Sequence, residues 1–461
     1  MSSPYLCKQG SRDRGATGYP GGLILSVFAS VAVLACGARS SLLGSGTDGE
    51  QGGAGGSTGS STGGNSSSSS SSTTSSTDTP TIPKPCPSLY SLGTVIPAWK
   101  SPGARLPSMG YDSVSRNVIV GFLDKYPGQS SNLVMGHTNA FSAWPPDILV
   151  EEAVAKFVTD QVLGPGPERP VGLFHSNNET YLATQVVDGF KVAEAPISLA
   201  KNLLFVRALP DRYFYGAFGE APNYQVLDLG SYQPNSLPQK EDPVVCTPSP
   251  IVADSAISTT GFYAALAIAP ENKELCTPQA PSQTGAVRVY HYQAPAEPGS
   301  FLESTIGAYI DLPEPVKEVH VVPASFGAWL VYQTNGSTSL TMPPVIATRL
   351  DPTGHQISLG EAIVAVPDGQ AFGEVAVAPF GDQVAVVWVD SADPGAPKLV
   401  VQLVNPEGTL GPSVVVPTDN AWFYGELRAL GSPSGETVLL AWEVQGIDTP
   451  IIALSRVDCT E

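Results

Sequence analysis

His137, His175, His291, His320 and His355 are the side chains best suited to metal or proton chemistry, and their spacing argues against it. None has a partner at H-x-x-x-H or H-E-x-x-H distance, the spacings that set two imidazoles on one helix face. They read as surface or strand residues, with no metal and no cofactor to hold. The turn Asp390-Ser391-Ala392-Asp393-Pro394-Gly395 offers two carboxylates, whereas a calcium loop needs more oxygens in a tighter pattern. Gly44-Ser45-Gly46-Thr47-Asp48-Gly49 matches a dinucleotide-binding pattern, and Gly55-Gly56-Ser57-Thr58-Gly59 matches a nucleophile elbow. Each pattern works only between a strand and a helix. Both lie here in unbroken Gly/Ser/Thr sequence, so both are accidents of composition. No catalytic residue is expected from local motifs, although carboxylates drawn from separate strands would leave no such mark.

The N-terminal segment carries a different signal. Lys8, Arg12 and Arg14 precede an apolar run from Gly21 to Ala35 that closes on Val33-Leu34-Ala35-Cys36. Charge followed by grease is the order of an export signal, and a run of about 15 residues is short of the roughly 20 that span a bilayer. The apolar run, small residues and cysteine resemble the lipobox of bacterial lipoproteins. That resemblance implies that residues 1–35 are removed, that Cys36 carries lipid, and that Gly37 behind it directs the protein to an outer membrane. From Gly44 to Pro80 the chain is nearly all Gly, Ser and Thr. It lacks the apolar side chains that offset ordering entropy, so residues 36–80 are expected to form a disordered tether with a reach of roughly 35 Å.

The remaining residues, 81–461, read as one folded domain. The net charge of −19 disfavours nucleic acid and anionic lipid surfaces as main partners. Charged residues make up 14% of the chain while Gly and Pro number 47 and 43, a profile of short strands and turns. Cys86, Cys246, Cys276 and Cys459 are too far apart for a structural zinc site and suit disulfides, with three pairings open from composition alone.

The C-terminal third repeats itself. Val345–Gly354 aligns with Leu399–Gly408, each a strand ending in an Asp/Asn-Pro-x-Gly turn. Gly373-Glu374-Val375-Ala376-Val377 aligns with Gly425-Glu426-Leu427-Arg428-Ala429, and Val384–Trp388 with Val438–Trp442. The apolar member of the unit recurs at 118–123, 170–174, 213–218, 262–268 and 328–332, making seven units of about 50 to 55 residues. Seven such units resemble a seven-bladed β-propeller of four-stranded blades. The last unit lacks an outer strand, and Ser91-Leu92-Gly93-Thr94-Val95-Ile96-Pro97, which resembles Leu410–Pro417, is expected to supply it. In that architecture Cys86 and Cys459 fall at one end of the last blade, and Cys246 and Cys276 at the other end of the fourth, which implies the pairs Cys86–Cys459 and Cys246–Cys276.

The same architecture puts the tether on the face of the third-to-fourth strand turns and leaves the face of inter-blade connections pointing away from the membrane. Trp99, Trp144, Phe372, Trp422, Phe423 and Tyr424 are assigned to those connections as candidate contact residues. The expected role is a membrane-anchored, extracytoplasmic binding protein, held by lipid on Cys36 and taking a protein or glycan ligand. A glycan-directed hydrolase or lyase, or a structural role in the envelope, are the alternatives.

Overall fold

The computed structural model describes residues 85–99, 103–124, 131–164, 169–177, 179–186, 189–192, 198–199, 202–208, 214–220, 223–228, 235–236, 253–258, 261–268, 285–293, 303–335, 343–357, 363–367, 371–390, 398–418, 423–445 and 450–460. Residues 1–80, Cys36, Trp422 and the expected Cys246–Cys276 pair lie outside them. Asp78–Glu461 forms one compact unit.

Among the described residues every named element is a strand, and the strands form seven antiparallel sheets. The first sheet holds Ala104–Asp112, Asn117–Asp124, Asn132–Thr138 and Ile148–Lys156. The second holds Val158–Gly164, Val171–Ser176 and Glu179–Val186, with Gly189–Val192 and Ser198–Leu199 sharing its outer edge. Asn202–Ala208, Phe214–Glu220, Asn223–Asp228 and Asn235–Ser236 form the third; Ala253–Ile257, Gly261–Ile268, Gly285–Gln293 and Glu303–Leu312 form the fourth. The fifth comprises Val316–Ala324, Gly327–Thr334, Val345–Leu350 and Ile363–Val366, and the sixth Ala371–Phe380, Gln383–Asp390, Lys398–Val404 and Leu410–Val416. The seventh runs Phe423–Gly431, Thr437–Gln445, Pro450–Thr460 and then back to the N-terminal strand Ser88–Val95. The first-named strand of each sheet touches that of the next, and that of the seventh returns to that of the first. This is a β-propeller, and those first-named strands are its inner strands.

Apolar side chains at alternate strand positions face opposite sides of each sheet, so the core is a series of wedges between neighbours. Phe122 and Val118 of the first sheet meet Leu439, Ala441, Ile452 and Leu454 of the seventh. Val331 and Trp329 of the fifth meet Val384 and Val386 of the sixth. Trp329, fully buried, also donates its indole N–H to the Asp382 carbonyl at 2.9 Å, tying a side chain of the fifth sheet to the first turn of the sixth.

The expected closure is present. Ser88–Val95 pairs antiparallel with Pro450–Thr460, and Cys86 is disulfide-bonded to Cys459 with Cα atoms 5.7 Å apart. Gly93, at φ +83°, sits where the pairing slips between Ser91 and Thr94, a backbone region that glycine enters without a Cβ clash. Thr94 Oγ1 donates to the Pro417 carbonyl at 2.6 Å, and Cys86 N to Gln383 Oε1 at 2.8 Å, so the strand is stitched to the sixth sheet as well. The Val345 and Leu399 repeats end in the expected turns, where Gly354 and Gly408 take φ of +85° and +87°.

Candidate functional site

The inner strands surround a central cavity of about 640 Å³. Its side chains are sorted by depth. Ser108, Gln161, Asp254, Glu318, His320 and Arg428 line the half nearer the starts of the inner strands. Deeper, the lining is Leu163, Ile257, Val322, Val377, Pro379 and Leu430.

One local device recurs at the mouth. The pairing of the inner strand with its neighbour slips between Arg105 and Ser108, Val158 and Asp160, Leu203 and Phe205, Val316 and Glu318, Phe372 and Ala376, and Phe423 and Leu427. A bulge bends a strand and re-aims its side chains. An acidic residue lies at or within four of these slips: Asp160, Glu318, Glu374 and Glu426. Asp254 joins them near the start of the fourth inner strand.

The carboxylates reach across the wedges. Asp254 Oδ2 accepts from Val321 N at 3.0 Å, Glu318 Oε2 from Val375 N at 2.7 Å and Glu374 Oε2 from Leu427 N at 3.4 Å, each bond joining one sheet to the next in the ring. Between the first and second sheets an amide makes the link. Gln161 Oε1 accepts from Ser108 Oγ at 2.6 Å, and its Nε2 donates to Leu106 O at 2.9 Å.

Two basic side chains, His320 and Arg428, sit two positions beyond an acid, each between the carboxylates of two sheets. His320 lies 3.8 Å from Glu318 and 3.9 Å from Asp254. Arg428 lies 3.3 Å from Glu374 and contacts Glu426. Lys317 stands 3.4 Å from Glu318. Burial works against charge on both Glu318 and His320, but their mutual attraction outweighs it. With Lys317 and the Val375 N–H also favouring the carboxylate, the Glu318 pKa is lowered; with Asp254 adding to Glu318 and only Arg428 opposing, that of His320 is raised.

Asp160 and Glu426 shift the other way. Burial raises the Asp160 pKa against the opposing pull of the Gln161 N–H, His175 and Arg428. Burial also raises that of Glu426, against Arg428 and with the help of Glu374, Asp160 and Glu443. Two carboxyls pushed towards the protonated form and Glu318, pushed towards the ionised form, give one ring of side chains opposite proton preferences.

The expected contact residues divide. The backbone places Phe372, Phe423 and Tyr424 at the starts of the sixth and seventh inner strands, the same end as the carboxylates. Trp99 also precedes an inner strand, but its ring packs on Phe122 at 5.1 Å and over Gly136, inside the wedge between the seventh and first sheets. Trp144 is not in an inter-blade connection. It lies between the third and fourth strands of the first sheet, at the opposite end, where its indole N–H bonds Leu92 O at 3.0 Å. The reason is that Ile148–Lys156, rich in charge, is a strand of the first sheet, which moves the connection beyond Lys156.

The histidines are dispersed, and among the described residues no group of three or more His, Cys, Asp or Glu side chains could hold a metal ion. His320 is the histidine that the cavity recruits. The carboxylate ring itself left a signal in the sequence: the Glu374 and Glu426 alignment, which also extends to Glu318-Val319, Asp254-Ser255 and Asp160-Gln161.

No family model matches the chain, and no curated protein matches it. Solved structures similar to it include a Trypanosoma rangeli sialidase, at 8% identity and TM-score 0.40, the match covering 80% of this chain and 59% of that one. Chaetomium thermophilum Sqt1 matches at 10% identity and TM-score 0.39, over 80% of this chain and 98% of that one. An alpha-L-arabinofuranosidase from Lactobacillus brevis matches at 10% identity and TM-score 0.32, over 54% and 87%.

Proposed function

We propose that this chain is a seven-bladed propeller acting as an extracytoplasmic binding protein, anchored to a membrane by lipid on Cys36, with the charged mouth of the central cavity as its receptor surface. The observation that carries this reading is the convergence of Asp254, Glu318, His320 and Arg428, from three different sheets, on one end of a cavity of the size small-molecule sites take. That end is also where the inter-blade connections leave the sheets, the face expected to point away from the anchor. The experiment is a screen of the full chain against envelope glycans and peptides. Arg428→Ala is expected to reduce retention of any captured ligand at least tenfold, and Glu407→Gln, on an exposed turn at the other end, to leave it unchanged. Retention untouched by Arg428→Ala overturns the placement.

A second reading, a glycan hydrolase with carboxyls drawn from different blades, is favoured by one observation: Asp160 and Glu426 are pushed towards the protonated state while Glu318 is held ionised. Release of reducing ends from an envelope polysaccharide, lost in Asp160→Asn and Glu426→Gln, would establish it. Binding without release excludes it for that polysaccharide.

A further inference from the structure

The charged side chains that line the central cavity come out even. Among the described residues they are two acids, Asp254 and Glu318, and two bases, His320 and Arg428. Burial opposes a charge on His320, but Glu318 and Asp254 outweigh it and raise its pKa, so the imidazolium is favoured. Each base stands between carboxylates of two sheets. His320 lies 3.8 Å from Glu318 and 3.9 Å from Asp254, and Arg428 lies 3.3 Å from Glu374 and against Glu426. The lining is therefore balanced before a ligand arrives. A cationic head would stand against Arg428 and His320, an anionic head against Asp254 and Glu318, and either would have to separate an existing pair to gain a new one.

A hydroxyl both donates and accepts, so it can bond an N–H and a carboxylate without parting either from its partner. The mouth has capacity of both kinds. A guanidinium carries five N–H donors. Arg428 uses three of them within the ring, on Glu374, Glu426 and the Leu427 carbonyl, and its side chain is 43% exposed. Glu318 Oε2 accepts from Val375 N at 2.7 Å, and a carboxylate offers about four lone-pair sites. Ser108 and Gln161 add an uncharged hydroxyl and amide to the same end.

Deeper in, the lining changes character. Ile257 lies three strand positions beyond Asp254, and Val322 four beyond Glu318, a depth of roughly 10–13 Å at about 3.3 Å per residue. Over that distance the charged side chains give way to Leu163, Ile257, Val322, Val377, Pro379 and Leu430. Such a wall offers a polar group nothing to bond, whereas an apolar group placed against it leaves water. We infer that the propeller binds an uncharged amphiphile, with a hydroxyl-rich head of the sugar kind at the Arg428 and Glu318 end and an alkyl body running down the central cavity. This rests on the reading of the cavity mouth as a binding surface and names the ligand class.

The test is calorimetric titration of the full chain with octyl glucoside below its micelle-forming concentration. Glucose and octanol probe the head and the chain alone, and octylamine, octanoate and 2-aminodecanoate probe cationic, anionic and zwitterionic heads. Octyl glucoside is expected to bind once per chain and at least tenfold more tightly than any of the five. Arg428→Ala is expected to weaken it at least tenfold by removing donors, and Ile257→Ser about fivefold by making the deeper wall polar. Should Arg428→Ala fail to fold, Ile257→Ser decides. Equal binding of any of the other five probes, or octyl glucoside binding unchanged in a folded variant of either kind, overturns the inference. If octyl glucoside fails to bind while a screened ligand is retained and then lost in Arg428→Ala, the uncharged amphiphile is wrong and the receptor surface stands.

Discussion

Residue by residue, the mouth is a set of opposed titrations. The folded pKa of His320 is raised above 6.5, so its contribution to stability is complete below that pH and is lost as pH rises through the folded value. Glu318 is lowered below 4.5, so its contribution is complete above that pH and is lost as pH falls through the folded value. The share of the unfolding free energy carried by this pair should therefore decline on both sides of a window between about pH 4.5 and 6.5, and His320→Gln should remove its alkaline decline, read as the difference from the parent chain in denaturant melts across pH. Glu318→Gln removes a charge-assisted bond to Val375 N and is expected to cost about 1–3 kcal/mol at pH 6 in the same melts. An alkaline slope unchanged by His320→Gln would contradict the pairing with Glu318 and Asp254. None of this balance was legible in the histidine spacing. His320 acquires its neighbours from Asp254, 66 positions away, and from a bulge that no short motif records.

Among the elements, the second strand of each sheet was legible, and so were the outer strands of the last sheets, whereas the outer strand of the first sheet was not. Each of the seven apolar segments found by periodicity is the second strand of a sheet, because burial on both faces leaves a continuous apolar run such as Val118-Ile119-Val120. Outer strands such as Ile148–Lys156, half exposed and carrying Glu151, Glu152 and Lys156, lack that mark, which is why sequence alone puts Trp144 at the wrong end of the first sheet. The Glu374 and Glu426 alignment was visible as a repeat, but its meaning as a ring required the sheets to be set side by side. The wedge under Trp99 is tested by Gly136→Ala. A Cβ there would lie 2.2 Å from the indole ring, so a loss of about 1–3 kcal/mol is expected in urea unfolding. Trp99→Leu in the same chain should recover part of it. Among the described residues Trp99 Nε1 has no hydrogen-bond partner, so the replacement forfeits packing with them alone.

Across the whole ring, one covalent bond joins its two ends. Cys86 and Cys459 are 373 positions apart, and in the chain-entropy model a loop of that length is worth about 6 kcal/mol, an upper figure. Cys86→Ser with Cys459→Ser should lower the melting temperature, and a reductant should lower that of the parent chain by more than that of the double variant. An equal response of both to reductant would move the stabilising bond elsewhere. The closure was legible because two sequence facts met, a last unit one strand short and a spare strand resembling Leu410–Pro417 ahead of the first. The wedge packing and the sorting of the cavity by depth were not, since both arise only when inner strands from separate repeats run side by side.

The position of that bond also sets how the propeller carries mechanical load. A pull on the chain ahead of Cys86 passes through the two sulfur atoms into Pro450–Thr460, which is gripped on both edges, by Thr437–Gln445 and Ser88–Val95. The added strand is thereby bypassed, and its hydrogen bonds cannot be peeled one at a time from the N-terminal end while the disulfide holds. Reduction would redirect the same pull onto Ser88, at the end of the strand, and turn the strongest part of the ring into the place where it unzips.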